Sequence, residues 1–315
     1  MRIIHVAALF VILVFARCTD RGKNGQPLDT TTSGTIKIAV DESLKPLVEA
    51  EIDTFEGIYQ AAHIEAYYMS EADAIDALLK DSVVMAVTTR KLLDAEVKVL
   101  EASALVPTQL PLAKDGVALI LNKANNDSLI QFNQLKSLIE GKLTNWNQIN
   151  SKTKSSPIEV VFDNPQSGMV RFLNDSVQHI EKLPPNFFAV NTNKDVVDYV
   201  SKKSNAIGLI GVSWISDDDD STANSFLKDI RVAGVERGGE FFKPYQAYIA
   251  THQYPLRRNV YAVSREARSG LATGFITFMT SDRGQRIVLK LGLVPVTMPI
   301  RLVQVNTEPF KQDEN

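Results

Sequence analysis

Ser167 and Gly168 lie in the stretch DNPQSGMVRFL (163–173), between an extended apolar run, 158–162, and a helix-like pattern of Val170, Phe172, Leu173 and Val177. A small hydroxylated residue and a glycine at the start of a helix admit three kinds of chemistry. They can present a nucleophile on a sharp turn, cradle an anion, or cap the helix. A nucleophile needs a base, and few are available. His5 falls in the apolar N-terminal run, leaving His63, His179 and His252. His179 is twelve residues along the same expected helix, about 18 Å away at helical rise, and His252 reaches Ser167 only through the fold. Ser167 also lacks the preceding glycine of the Gly-x-Ser-x-Gly elbow. The chain has no phosphate-binding or dinucleotide-binding glycine loop. One cysteine and scattered histidines make no zinc pattern. The aspartate run in DDDDSTAN (217–224) lacks the alternating spacing and turn glycine of a calcium loop, so it reads as a solvated loop. Neither a metal nor a cofactor is expected, and the chain is not expected to be an enzyme. Anion cradle and helix cap both remain open for Ser167.

The elements that must position this turn alternate. Strand patterns at 35–40, 64–69, 83–88, 116–122, 158–162, 206–211 and 260–263 are interleaved with helix patterns. The helical stretches are 44–55, 71–80, 132–139, the one opened by Ser167-Gly168, 195–203, 271–279 and 283–291. Period-two runs followed by period-3.6 stretches predict an α/β fold with a largely parallel sheet.

The chain has 315 residues, 44% hydrophobic and 23% charged, with a formal charge of −3. This is ordinary globular composition, enough for one large domain or two lobes. An acidic balance argues against nucleic acid as the partner. Met1-Arg2 followed by an apolar run to Ala16 is too short to span a bilayer and fits a signal peptide over 1–17. Cys18 follows at once, resembling the acylated cysteine of a bacterial lipoprotein, although Arg17 stands where that pattern has a small residue. Residues 18–34 have linker composition. Removal of 1–17 leaves 32 basic against 37 acidic residues.

Several segments together resemble the periplasmic phosphate-binding protein family, the PstS-like solute receptors of ABC transporters, in a divergent Bacteroidetes-type lipoprotein branch. They are AKDGVALILNKAN (113–125), LKSLIEGKLTNWNQI (135–149), IEVVFDNPQSGMVRF (158–172), AIGLIG (206–211), YPLRRNVYAV (254–263) and FITFMTSDRGQRIVLKLGLVP (275–295). The resemblance implies a two-lobed periplasmic binding protein fold of type II, with mixed sheets and a central ligand cleft. Lobe one would comprise 35–112 plus 250–300 and lobe two 113–249, with 301–315 as a tail.

The resemblance also implies site residues. Ser167 and Gly168 match the first two members of the family's Ser-Gly-Thr turn, with Met169 in place of the threonine. Asp163 stands where well-known members carry an arginine, and Arg171 is the candidate replacement. Thr89 and Arg90 match a Ser-Arg element after the third strand, Arg90 offering a bidentate fork to an oxyanion. Asp115 would accept a hydrogen bond from a protonated anion. Ser43 is the candidate donor at the first strand-to-helix turn, next to Asp41 and Glu42, whose charge is unfavourable to an anion.

The function so implied is capture of inorganic phosphate, or a similar small oxyanion, for an ABC transporter permease. The protein would be a monomer in the periplasm or cell envelope, lipid-anchored to the membrane through Cys18. Two alternatives stay open: a sensor or interaction protein using the same fold, and a receptor for a different solute, such as one bearing a cationic group. A serine hydrolase ranks below both.

Overall fold

The computed structural model describes residues 28–216 and 221–299. The signal, lipidation and tail segments and the aspartate run therefore lie outside the described residues or at their edge. Lobe one begins with β1 (Gly34–Asp41), a 3-10 turn (Glu42–Leu44), α1 (Lys45–Ile58), β2 (Ala62–Met69), α2 (Glu71–Leu79), β3 (Met85–Thr88) and α3 (Asp94–Glu101). The 15-residue β4 (Thr108–Asn122), about 50 Å long at the usual strand rise, then runs out of this lobe into the next. Lobe two continues with β5 (Leu129–Ile130), α4 (Phe132–Ile139), β6 (Glu159–Phe162), α5 (Gly168–Ser176), β7 (Phe187–Ala189), α6 (Asn193–Lys202) and β8 (Ala206–Gly211). After a 3-10 turn (Val212–Trp214) come α7 (Ser221–Asp229), β9 (Ile230–Val232), β10 (Gly234–Arg237), β11 (Glu240–Phe242) and α8 (Gln246–Ala250). The chain returns through β12 (Arg257–Ser264), then α9 (Leu271–Thr280), α10 (Asp282–Lys290) and β13 (Val294–Pro295).

The main sheet has the order β2-β1-β3-β12-β4-β8-β6-β7, with β13 and β9 also on β4. It differs from the largely parallel sheet expected from the alternation. The wings are parallel (β1 with β2 and β3, β6 with β7 and β8), but β4 is antiparallel to β8, β9, β12 and β13. Each wing is a set of strand–helix–strand crossovers, which require parallel neighbours. The strands joining the lobes only cross between them and pair antiparallel. The first half of β4, 108–115, lies outside the expected strand at 116–122, and it contains Pro111, which has no N–H for a strand ladder. Here Pro111 pairs with Tyr261 beside a register shift that leaves Leu112 as the extra residue, and next to such a bulge a residue without an N–H is tolerated.

Buried side chains gather into separate cores. Ile36, Ile38 and Val40 face α1, α9 and α10 with Phe55, Phe275 and Val288, while Ala39 faces α2 with Ala74, Ile75 and Leu78. That alternation makes a helix–sheet–helix sandwich of lobe one. A separate core gathers residues between 117 and 256 together with Val294, including Trp146, Phe162, Met169, Val196 and Tyr254. Two of the motifs are structural ties. The Trp146 indole donates to the Asn205 carbonyl at 3.0 Å. Gln285, fully buried, donates to the Leu112 and Met279 carbonyls and accepts from the Val296 amide.

Candidate functional site

The C-terminal ends of β1 and β3 meet the N-terminal ends of α5 and α6 across the seam between the lobes. Helices starting where parallel strands end turn their unpaired N–H groups and positive dipole ends toward that seam. Ser167 is the N-cap of α5, its hydroxyl accepting from the Val170 amide at 3.4 Å. The cap geometry is therefore present, and the turn abuts the other lobe as well. A β-carbon on Gly168 would lie 2.3 Å from Asp41 Oδ2 and 2.6 Å from Thr89 Oγ1. Only a glycine lets the backbone come this close.

At the centre is a buried chain of polar groups. Arg258 on β12 donates through Nε to Asp115 Oδ2 at 2.9 Å and through Nη2 to Ser43 Oγ at 2.8 Å. Ser43 in turn donates its hydroxyl to Asp41 Oδ1 at 2.8 Å. The Asp115 and Arg258 side chains are 0% and 2% exposed. Burial works against the charge on Arg258, but Asp115 and Asp41 outweigh it and raise its pKa, so it stays a cation.

Five carboxylates line the seam, and three are committed. Glu42 accepts from the Asn193 amide and from Asn193 Nδ2, at 2.9 and 2.6 Å. Glu71 accepts from Thr89 and Arg171. Asp115 holds Arg258. Asp41 and Asp163 each keep one buried oxygen, Oδ2 and Oδ1, without a hydrogen-bond partner, and Arg258 Nη1 is a buried donor in the same condition. Unpaired buried polar atoms are costly, and these three belong to groups that interact electrostatically with one another, Asp41 with both Arg258 and Asp163.

Burial pushes the Asp41 carboxyl up to about 7, with Glu71 and Asp163 adding repulsion against the pull of Arg258. Burial likewise raises Asp163 to about 6. A carboxyl near its pKa at neutral pH either donates to an oxyanion or accepts from a protonated one, so acids at this position do not exclude an anion. Because the folded pKa of Asp41 lies above its ordinary value of 3.8, its stabilising contribution is full below that value and is lost as pH rises through about 7. Melting curves from pH 4 to 7.5 should therefore fall less steeply for Asp41→Asn than for the unmodified protein. An unchanged slope would count against the shift.

The expected site residues are distributed as follows. Ser43, Asp115, Ser167 and Gly168 converge on the seam. Thr89 and Arg171 reach it through Glu71, Arg171 Nη2 donating to Thr89 Oγ1 at 2.9 Å. Arg90 points its fork at Glu96, with both terminal nitrogens donating at 2.7 and 2.8 Å. Met169 is fully buried in the core of lobe two, so only its backbone faces the helix start. His63, His179 and His252 are exposed. Arg258, Glu71 and Asn193 were not singled out from the sequence. Arg258 was findable, since it shares the parity of Val260 and Ala262, the buried face of β12. Glu71 opens an expected helix and Asn193 precedes one, and neither carries a local signal for a contact between lobes. A cavity of about 380 Å³ opens beside the seam, lined by Glu71, Gln166, Ser167, Val170, Arg171 and Leu183 among others.

A model of the PBP superfamily domain matches residues 25–283. The chain belongs to the PBP superfamily. Among curated relatives of this PBP-superfamily protein, the phosphate-binding protein PstS of Staphylococcus aureus (strain USA300) is 24% identical over 287 residues, covering 90% of this chain and 84% of the relative. A Clostridium perfringens substrate-binding protein solved with bound phosphate superposes with a TM-score of 0.71 at 24% identity, covering 84% of this chain and all 100% of that one. An ABC-type phosphate transport receptor from Vibrio cholerae gives 0.62 at 20% identity, with coverage of 84% and 100%. At these identities the superpositions establish the two-lobed fold. No helix among the described residues is long and apolar enough to cross a membrane.

Proposed function

We propose that this PBP-superfamily protein captures inorganic phosphate, or a closely similar protonated oxyanion, in the interlobe seam and delivers it to an ABC transporter permease. One observation carries the reading: Asp41 Oδ2, a buried acceptor without a partner, lies against Gly168 at the N-terminus of α5, in the same polar cluster as the unspent donor of Arg258 and the unspent acceptor of Asp163. Dihydrogen phosphate offers two P–OH donors and two further oxygens. Those donors answer the two aspartates, and the oxygens answer Arg258 and the helix N–H groups. Sulfate at neutral pH has no proton to give the aspartates. The phosphate-named relatives and fold neighbours support the same ligand. The solute is held, not transformed, and the protein works as a monomer in the cell envelope with Cys18 as its lipid attachment.

The acid excess that favoured a cationic solute carries less weight once bonds are assigned, because Glu42, Glu71 and Asp115 are occupied by protein donors. Calorimetry of the purified protein against phosphate, sulfate and a basic amino acid tests the reading. Phosphate at a hundred times its Kd should add about 2.7 kcal/mol of stability, while sulfate adds little. No phosphate binding at millimolar concentration, with another solute binding tightly, would overturn it.

A further inference from the structure

Beside the ligand seat, a buried acid of lobe one is held by a base of lobe two. Glu71, the first residue of α2, has a side chain only 3% exposed. Its Oε1 accepts from the Thr89 amide at 2.7 Å and the Thr89 hydroxyl at 2.6 Å, within its own lobe. Its Oε2 accepts from Arg171 Nε of lobe two at 2.5 Å. Burial works to raise the Glu71 pKa, but Arg171 and Thr89 outweigh it and hold the carboxyl below its ordinary range.

We propose that Glu71 and Arg171 are positioning residues that latch the two lobes together, so that closure is set in part by the protein's own ion pair and not by the ligand alone. Arg171 is in the first turn of α5, the helix whose N-terminus forms the seat. Its bonds to Glu71 and to Thr89 Oγ1 draw Gly168 against Asp41 and Thr89. On the far side of the seat, Glu42 of lobe one docks on the first turn of α6 through Asn193, and the Trp214 indole of lobe two donates to the Ser43 carbonyl at 3.1 Å. The seat is thus bracketed by contacts between protein groups. Apparent affinity scales with the fraction of closed protein, so a group that biases closure tunes Kd without touching the solute. Opening returns both ions to water, which offsets part of the lost attraction. The expected effect is about tenfold, within the usual range of coupling between sites.

The proposal rests on the two-lobed fold and not on the identity of the solute. The test uses the full chain with Cys18→Ser, spin-labelled through Thr54→Cys on lobe one and Ser151→Cys on lobe two. Without added solute, Glu71→Gln and Arg171→Met should each move the distance distribution toward longer separations. The double variant should move it no further than the larger single, the signature of one shared interaction. With phosphate, each single should raise Kd about tenfold, chiefly by faster release. Unchanged distances in both singles, additive effects in the double variant, or lowered melting temperature with unchanged distances would each overturn the latch. If phosphate fails to bind the parent protein, the functional reading falls while the distances still decide the latch.

Discussion

Replacing Arg258 with methionine is expected to abolish solute binding and to destabilise the fold together. Arg258 joins Asp115 on β4 to Ser43 at the first strand-to-helix turn, and its remaining Nη1 is a buried donor without a partner, the one assigned to phosphate in the proposal. Methionine keeps most of the side-chain bulk but leaves Asp115, fully buried, without its counter-charge. Breaking one side of a buried pair costs about 3 to 5 kcal/mol, a large share of the stability of an ordinary domain. Arg258→Lys separates the two consequences. It keeps the charge beside Asp115, so most of the stability should survive. An ammonium does not present the planar fork that reaches Asp115, Ser43 and a ligand oxygen at once, so affinity for phosphate should still fall by about a hundredfold, near the 2 to 3 kcal/mol of a charge-assisted bond. Denaturant titration and calorimetry on the two variants check this. Near-normal binding by Arg258→Met would remove Arg258 from the site.

Gly168→Ala is expected to do the opposite: lose binding while leaving each lobe intact. The added carbon would meet Asp41 Oδ2 at 2.3 Å and Thr89 Oγ1 at 2.6 Å. Neither neighbour yields easily, since Asp41 is pinned through Oδ1 to Ser43 and Thr89 to Glu71. Both belong to the opposite lobe, however, so the clash arises only when the cleft closes. Alanine at the first helical position favours the helix itself by up to about 1 kcal/mol over glycine. The melting temperature without solute should therefore hold, while phosphate affinity falls by at least about tenfold because the closed state is penalised. Retained affinity would show that closure does not bring these groups together.

The wings of the fold were readable because each strand and helix there is buried by a simple periodic rule. Helix 132–139 and strand 206–211 have the same limits in both views. Ser167-Gly168 was readable as a strand-to-helix turn for the same reason, and its cap is present. The centre was less readable. Pro111 disguised half of β4, and sheet direction there follows from how the two lobes are joined, which no local pattern carries. Arg90 shows the limit for side chains. Its position after β3 suits an oxyanion, but Glu96, six residues on, takes its guanidinium.

By itself the sequence determined the alternating α/β architecture and the turn at Ser167-Gly168. These depend on hydrophobic period and on residues close along the chain. Only the tertiary structure decided what the acids do. Glu42 meets a residue 151 positions away, Glu71 one 100 away and Asp115 one 143 away. Charge counted along the chain made the cleft look hostile to an anion. Charge paired across the seam leaves two aspartate oxygens and one arginine nitrogen unspent, because an ion's effect in a buried site depends on which partner lies within hydrogen-bond distance.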